Sequence, residues 1–184
     1  MSSKFQRIDT QTIFDGKFFS VERGTFRHED GEIAERELVT HPGAVGVVVL
    51  DGDQLWLVRQ PREAVGVPDL LEIVAGKLDE VGEDPLDTAK RELAEEIGKR
   101  AEHWESLGSF YTSPGFADEE IHLFLATGIS DIERPQVEED ERIDVEVRPL
   151  AELDEILASN QDSKTLVALY RLWDRLRSGA TNSD

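Results

Sequence analysis

The chain has 184 residues, carries 40 Asp+Glu against 20 Lys+Arg for a formal net charge of −20, and contains no cysteine. That length suits one domain with at most a small addition, and such a domain can bury a substantial core. The charge argues against nucleic acid or an anionic membrane surface as partner, and the missing cysteines exclude a disulfide framework, a thiolate nucleophile and a thiolate metal site. With no signal-like apolar segment and no 18-residue apolar run, the expected compartment is the cytoplasm.

Residues 1–40 read as a small antiparallel unit. A strand over Lys17–Phe26 is followed by a turn with the Asp30-Gly31 signal and a second strand over Ile33–Thr40. So small a sheet is marginal by itself, so it should pack on another subunit or on the main domain. His41-Pro42-Gly43 marks the boundary to a main domain over 41–178. There, Ala44–Leu50 reads as a buried strand, Asp51-Gly52-Asp53 as a tight turn, Gln54–Arg59 as its hairpin partner and Leu70–Val74 as a further short strand. Asp84 followed by Pro85 is a helix start and Gly98 a helix stop. Beyond it, Glu102–Tyr111, Glu120–Thr127 and Arg142–Val147 are strand-like, and Pro149–Ala158 and Ser163–Ser178 are helical. Leu166, Leu169, Tyr170, Trp173 and Leu176 give the last helix an apolar stripe. The polar tail, residues 179–184, is expected to be disordered.

The helix between Asp84 and Gly98 carries the chemistry. At about 100° per residue, Glu92, Glu95 and Glu96 share one face, beside an apolar stripe of Leu86, Ala89, Leu93 and Ile97. Like charges at this spacing destabilise a helix. Hard divalent cations take oxygen ligands, and Mg²⁺ uses a few carboxylates together with substrate phosphates. The face therefore has the makings of half a Mg²⁺–phosphate site, with Mn²⁺ a possible substitute. The four histidines show no metal-like spacing to one another.

The run Arg91-Glu92-Leu93-Ala94-Glu95-Glu96-Ile97-Gly98, with Glu83 and Gly76 before it, resembles the Nudix hydrolase signature G-x5-E-x7-R-E-U-x-E-E-x-G-U, in which U is a bulky apolar residue. There are two departures: the loop from Gly76 to Glu83 is one residue longer, at Val81 or Gly82, and the final U position is Lys99. A narrower resemblance, to the Nudix enzymes that act on ADP-ribose, rests on four features. Glu72-Ile73-Val74-Ala75-Gly76 leads into the signature loop, and Arg59-Gln60-Pro61-Arg62 ends a strand. Pro114 lies sixteen residues past Gly98 within Ser113-Pro114-Gly115, and strands precede the main domain.

The resemblance implies an α/β fold, a Nudix-type α/β/α sandwich with a mixed sheet, preceded by a small antiparallel β-unit through which a homodimer forms. It implies Mg²⁺-dependent hydrolysis of ADP-ribose to AMP and ribose 5-phosphate. The alternatives are a pyrophosphatase for other nucleoside diphosphate sugars or oxidised nucleotides, and a non-catalytic ADP-ribose sensor. Glu92, Glu95 and Glu96 are the implied ligands, with the Ala75 carbonyl; Gly76, Glu83 and Arg91 are structural, Arg91 holding the face through Glu83. A general base and a further ligand fall in the acidic loop Glu138–Glu141, with Glu139 as the base and Glu141 as the ligand; Glu119 is the next candidate base. Arg62 would reach the diphosphate, Arg36 and Glu37 adenosine from the partner subunit, and Leu78, Ser113, Gly115 and Glu119 the terminal ribose. Phe18 or Phe19 is a candidate to stack on adenine.

Overall fold

The structure, a computed structural model, describes residues 4–80, 82–135 and 142–181, with the side chains of 179–181 excepted. In chain order it forms β1 (Phe5–Asp15), β2 (Ser20–His28), β3 (Ile33–Thr40), β4 (Ala44–Asp51), β5 (Gln54–Arg62), β6 (Val67–Glu72), β7 (Val74–Lys77), α1 (Pro85–Ile97), β8 (Lys99–Tyr111), β9 (Glu120–Asp131), β10 (Asp144–Pro149), α2 (Leu153–Ser159) and α3 (Ser163–Thr181). Contacts divide the chain into two units, residues 1–43 with Tyr111–Glu120 and the remainder.

In the larger unit β4 is central. Ala44–Val49 has no exposed residue, which is the pattern of a strand covered on both faces. β4 runs parallel to β9, from Ala44 opposite Ile121 to Val49 opposite Ala126, and antiparallel to β5 and β7 on its other edge. The sheet order is β10-β5-β4-β9-β8, with β6 on β5 and β7 on β4. Alternation along β4 then splits the core. Val45, Val47 and Val49 join Val58 and Val74 under Ala89, Leu93 and Ile97 of α1. Val48, Leu55, Leu57, Ile73 and Leu123 pack under Ile156 of α2 and Leu169 and Leu172 of α3. Full burial of each large aliphatic side chain contributes about 1.5–3 kcal/mol. This is the expected α/β/α sandwich with a mixed sheet.

Three local expectations are corrected. The stretch expected as one strand at Leu70–Val74 is two: Val58 pairs with Glu72, whereas Val47 pairs with Val74, so the chain changes partner at Ile73. The helix expected from Pro149 begins as a 3-10 turn at Leu150–Glu152, and α2 proper starts at Leu153. The last helix runs to Thr181, past Ser178 and into the stretch expected as a disordered tail.

The smaller unit is an antiparallel sheet of order β1-β2-β3. The turn at Gly31 and the strand Ile33–Thr40 follow the sequence reading, while β2 runs over Ser20–His28 where Lys17–Phe26 was expected; Ser20 lies opposite Thr40. β1 is additional. All its residues are exposed within the chain, so its sequence shows no buried face to betray a strand. Tyr111–Glu120 belongs to this unit, although its sequence position puts it within 41–178. Val39 donates to the Phe116 carbonyl at 2.8 Å, Asp118 donates to the Val39 carbonyl at 3.1 Å, and the His41 N–H donates to the Asp118 carboxylate at 2.8 Å.

Candidate active site

α1 is built to hold its acidic face still. The Asp84 carboxylate accepts the Leu86 N–H at 2.9 Å, satisfying one of the donors a helix start leaves open, and Pro85 has no N–H to satisfy. Gly98 closes the helix at φ 65°, a left-handed conformation that suits glycine, and its N–H donates to the Ala94 carbonyl at 3.0 Å. Ala89, Leu93 and Ile97 are buried on the sheet, which turns Glu92 and Glu96 towards β7.

There the two elements meet. Glu96 is 4% exposed, and its carboxylate accepts the Ala75 N–H at 3.2 Å. A Cβ on Gly76 would lie 2.0 Å from the Glu92 Cδ, so the Glu92 carboxylate occupies the space glycine leaves. Arg91 balances the face. Its Nη1 donates to Glu92 at 2.8 Å and Glu95 at 3.0 Å, and its Nη2 stands 3.4 Å from Glu83. Glu83 also accepts the hydroxyl of buried Thr88 at 2.8 Å. Burial alone would lower the pKa of Arg91; the charges of Glu92 and Glu95 and the hydrogen bond to Glu83 outweigh it and raise the pKa. The guanidinium is thus a fixed positive charge that offsets the repulsion among the glutamates.

Among the described residues no three acidic or histidine side chains converge to hold a cation, and Glu92 and Glu95 accept bonds from Arg91. The donor set nonetheless fits a hard divalent cation: carboxylate oxygens beside the β7 backbone, with neither sulfur nor imidazole. The cradle at Gly76 has the same sense, since it lets a carboxylate lie against the backbone.

Lys99, the departure at the end of the signature, has its own explanation. Its ammonium lies 4.0 Å from the centre of the Trp56 ring and pairs with Asp131. The stem and charge take the place of a bulky apolar side chain.

Of the other expected site residues, Arg62 and Leu78 are in the same unit as α1. Leu78 packs against the core beneath that helix. Arg62 donates from Nε and Nη2 to Glu72, both at 2.6 Å. Arg36, Glu37, Ser113, Gly115 and Glu119 lie in the smaller unit. Arg36 donates to the Glu35 carbonyl at 2.8 Å, and Glu37 is exposed 3.7 Å from Arg23. The Ser113 carbonyl caps a turn by accepting the Phe116 and Ala117 N–H groups, and Gly115 has open space around it. Glu119 accepts the Thr112 hydroxyl at 2.8 Å and lies 3.6 Å from the His41 Nδ1. Phe18 and Phe19 are exposed. Glu139 and Glu141, the expected base and additional ligand, lie outside the described residues, as does Val81.

Two features were missed by the sequence reading. Arg134 donates to the Glu95 carbonyl at 2.6 Å, tying the chain beyond β9 to the end of α1. Glu72, quoted only as part of a motif, is fully buried and ionically paired. A glutamate between Leu71 and Ile73 was the available signal, because charge inside an apolar strand requires a partner.

Comparison with known proteins is consistent along most of the chain. The model of the NUDIX domain matches residues 40–170. The chain is 41% identical over 169 residues to the methanol dehydrogenase activator of Bacillus methanolicus, covering 90% of each. It is 39% identical over 169 residues to the ADP-ribose pyrophosphatase of Bacillus subtilis, again covering 90% of each. It is 40% identical over 138 residues to the ADP-ribose pyrophosphatase of Mycobacterium tuberculosis, covering 74% of this chain and 66% of that one. A solved structure described as an ADP compounds hydrolase superposes with a TM-score of 0.84 over 96% of both chains at 22% identity, a likeness of fold.

Proposed function

The chain belongs to the Nudix family, and from that premise we propose that it hydrolyses the diphosphate of ADP-ribose, with a divalent cation, to AMP and ribose 5-phosphate. The observation that carries this reading is the meeting of Glu92 and Glu96 with the Ala75-Gly76 backbone, where a carboxylate cradle is formed. The likeness to the ADP-ribose pyrophosphatases of Bacillus subtilis and Mycobacterium tuberculosis supports the substrate.

Glu92 and Glu96 would hold Mg²⁺, with Glu95, the Ala75 carbonyl and Glu141 contributing. Bound there, the metal supplies charge neutralisation on the diphosphate and a water of lowered pKa. Arg91 and Glu83 keep the helix face in register. Arg62 binds the diphosphate through the guanidinium edge that Glu72 leaves open. Glu139 takes the proton of the attacking water. The water oxygen bonds to one phosphorus, the bridging P–O bond breaks, and the bridging oxygen leaves with the other phosphate. A base off α1 is favoured because metal-bound carboxylates are poor proton acceptors; proximity and a suitable protonation state decide the rest.

The functional unit is proposed to be a homodimer formed through β1–β3. Phe5, Ile8, Ile13, Phe14 and Ile33 are exposed within the chain, on a sheet too small to stand alone. Arg36 and Glu37 would then reach adenosine bound to the partner subunit.

The name of the Bacillus methanolicus relative favours a second reading, in which the chain also modulates a dehydrogenase. A nucleoside diphosphate substrate panel, with products resolved by chromatography, tests the first reading: AMP from ADP-ribose is the expected result, and inert ADP-ribose would refute it. Dehydrogenase rates with and without the chain test the second, which falls if they are equal.

A further inference from the structure

Behind the exposed face of Arg62 lies a group of charges that the reaction as described does not use. Glu72, the last residue of β6, is 0% exposed, yet it meets two cations. One is Arg62, whose Nε and Nη2 approach both carboxylate oxygens at 2.6 Å, a fork-to-fork pair that fixes the plane of the guanidinium. The other is Lys164, in the first turn of α3, whose ammonium also bonds Glu72 and lies 3.0 Å from Asp162.

The surroundings are anchored on either side of Glu72. The Asn160 amide donates to the Leu71 carbonyl at 2.7 Å, and the Ile73 N–H donates to the Thr165 hydroxyl at 2.9 Å. The Thr165 hydroxyl donates in turn to Asp162 at 2.6 Å. Two anions and two cations balance, so the cluster is neutral, as a buried one must nearly be. It is not fully buried, however. The Arg62 side chain is 41% exposed, and its Nη1 has no partner among the described residues.

This arrangement is more than an ion pair needs for stability, since buried pairs are often replaceable by apolar residues at no loss. It presents one edge of a cation while clamping the other. Glu72 also stands three residues before Ala75, about 10 Å along extended chain. Hydrogen bonding to Glu72, opposed by burial and then aided by the charges of Glu72, Asp162 and Glu96, raises the pKa of Arg62.

We infer that Glu72 and Lys164 are positioning residues that set the pose of Arg62 for the substrate diphosphate. The inference rests on the proposed function, which gives Arg62 that contact. Lys164 holds the Glu72 carboxylate in one orientation, and Glu72 passes that orientation to the guanidinium.

The test is a double-mutant cycle on the full chain with ADP-ribose at saturating Mg²⁺. Glu72→Gln should raise KM about tenfold or more while kcat stays within a few-fold, the pattern of lost binding to the ground and transition states alike. In an Arg62→Ala background the same change should alter KM by less than about twofold, because a residue acting through Arg62 has nothing left to act on. Equal effects in both backgrounds, or an unchanged KM in the single variant, would overturn the inference. If Glu72→Gln does not fold, Lys164→Met and Lys164→Arg take its place. The first should raise KM several-fold, the second should restore it, and neither should matter once Arg62 is alanine; any other pattern counts against the inference. A wild-type chain that cleaves another nucleoside diphosphate compound and not ADP-ribose overturns the proposed substrate alone, and the cycle is then run on the compound cleaved. A wild-type chain that cleaves none overturns both.

Discussion

A single methyl group at Gly76 would sit where the Glu92 carboxylate lies, 2.0 Å from its Cδ. The clash is with the far end of a flexible side chain, so Glu92 can swing away at small cost to folding. Gly76→Ala is therefore expected to leave the melting temperature nearly unchanged and to raise the Mg²⁺ concentration needed for half-maximal turnover by tenfold or more. A normal metal requirement would show that Glu92 is not held for a cation. At this scale the signature glutamates were legible in the sequence because helical spacing alone puts them on one face. The charge cluster behind Arg62 was not, because Lys164 and Glu72 are far apart in sequence and neither belongs to a periodic pattern.

At the scale of elements, α1 was the most legible part of the fold: its cap, its proline and its terminal glycine are all local signals. Asp84→Ala should cost about 1 kcal/mol through the lost bond to the Leu86 N–H. For a chain of this size that is a fall of about 2–4 °C in thermal melts. An unchanged melting temperature would mean the cap is replaced by water. The strands were less legible. β1 has no buried face, and the switch from β6 to β7 is hidden in a continuous apolar run, where only pairing partners distinguish one strand from two.

The β5–β10 edge gives a pH prediction. Hydrogen bonding from Arg59, against the opposing effect of burial and with help from Arg148, holds Glu146 below the usual carboxylate range. A carboxylate whose folded pKa is depressed contributes stability above its unfolded pKa, and that contribution is lost as pH falls through the folded value. Glu146→Gln should thus lower the melting temperature at neutral pH. The gap to wild type should close as pH drops through and below the ordinary glutamate range. A gap independent of pH would assign the loss to packing.

For the whole molecule, the formal charge of −20 and the exposed apolar residues of β1–β3 point in different directions, one towards solubility and the other towards a covered surface. The proposed homodimer would reconcile them by burying the apolar sheet and leaving the acidic surface in water. Light scattering on the full chain at micromolar concentration should give twice the chain mass, and a monomer would contradict the assembly. The place of Tyr111–Glu120 in the smaller unit was hidden in the sequence for the same reason as the Arg62 cluster. Its bonds to Val39 and His41 are long-range and follow no repeat.

The buried carboxylate of α1 beside Ala75 is proposed to support divalent-metal cleavage of ADP-ribose. The most direct test is a Mg²⁺ titration of ADP-ribose hydrolysis by the wild-type chain and by Glu96→Gln, run alongside thermal melts in chelator. Wild type should release AMP and ribose 5-phosphate only when the cation is present. The variant should melt at the same temperature or higher, since one charge is removed from a repelling face, while its turnover falls by orders of magnitude at every Mg²⁺ concentration. Wild-type turnover that persists in chelator, or a variant as active as wild type in saturating Mg²⁺, would rule out that role for Glu96.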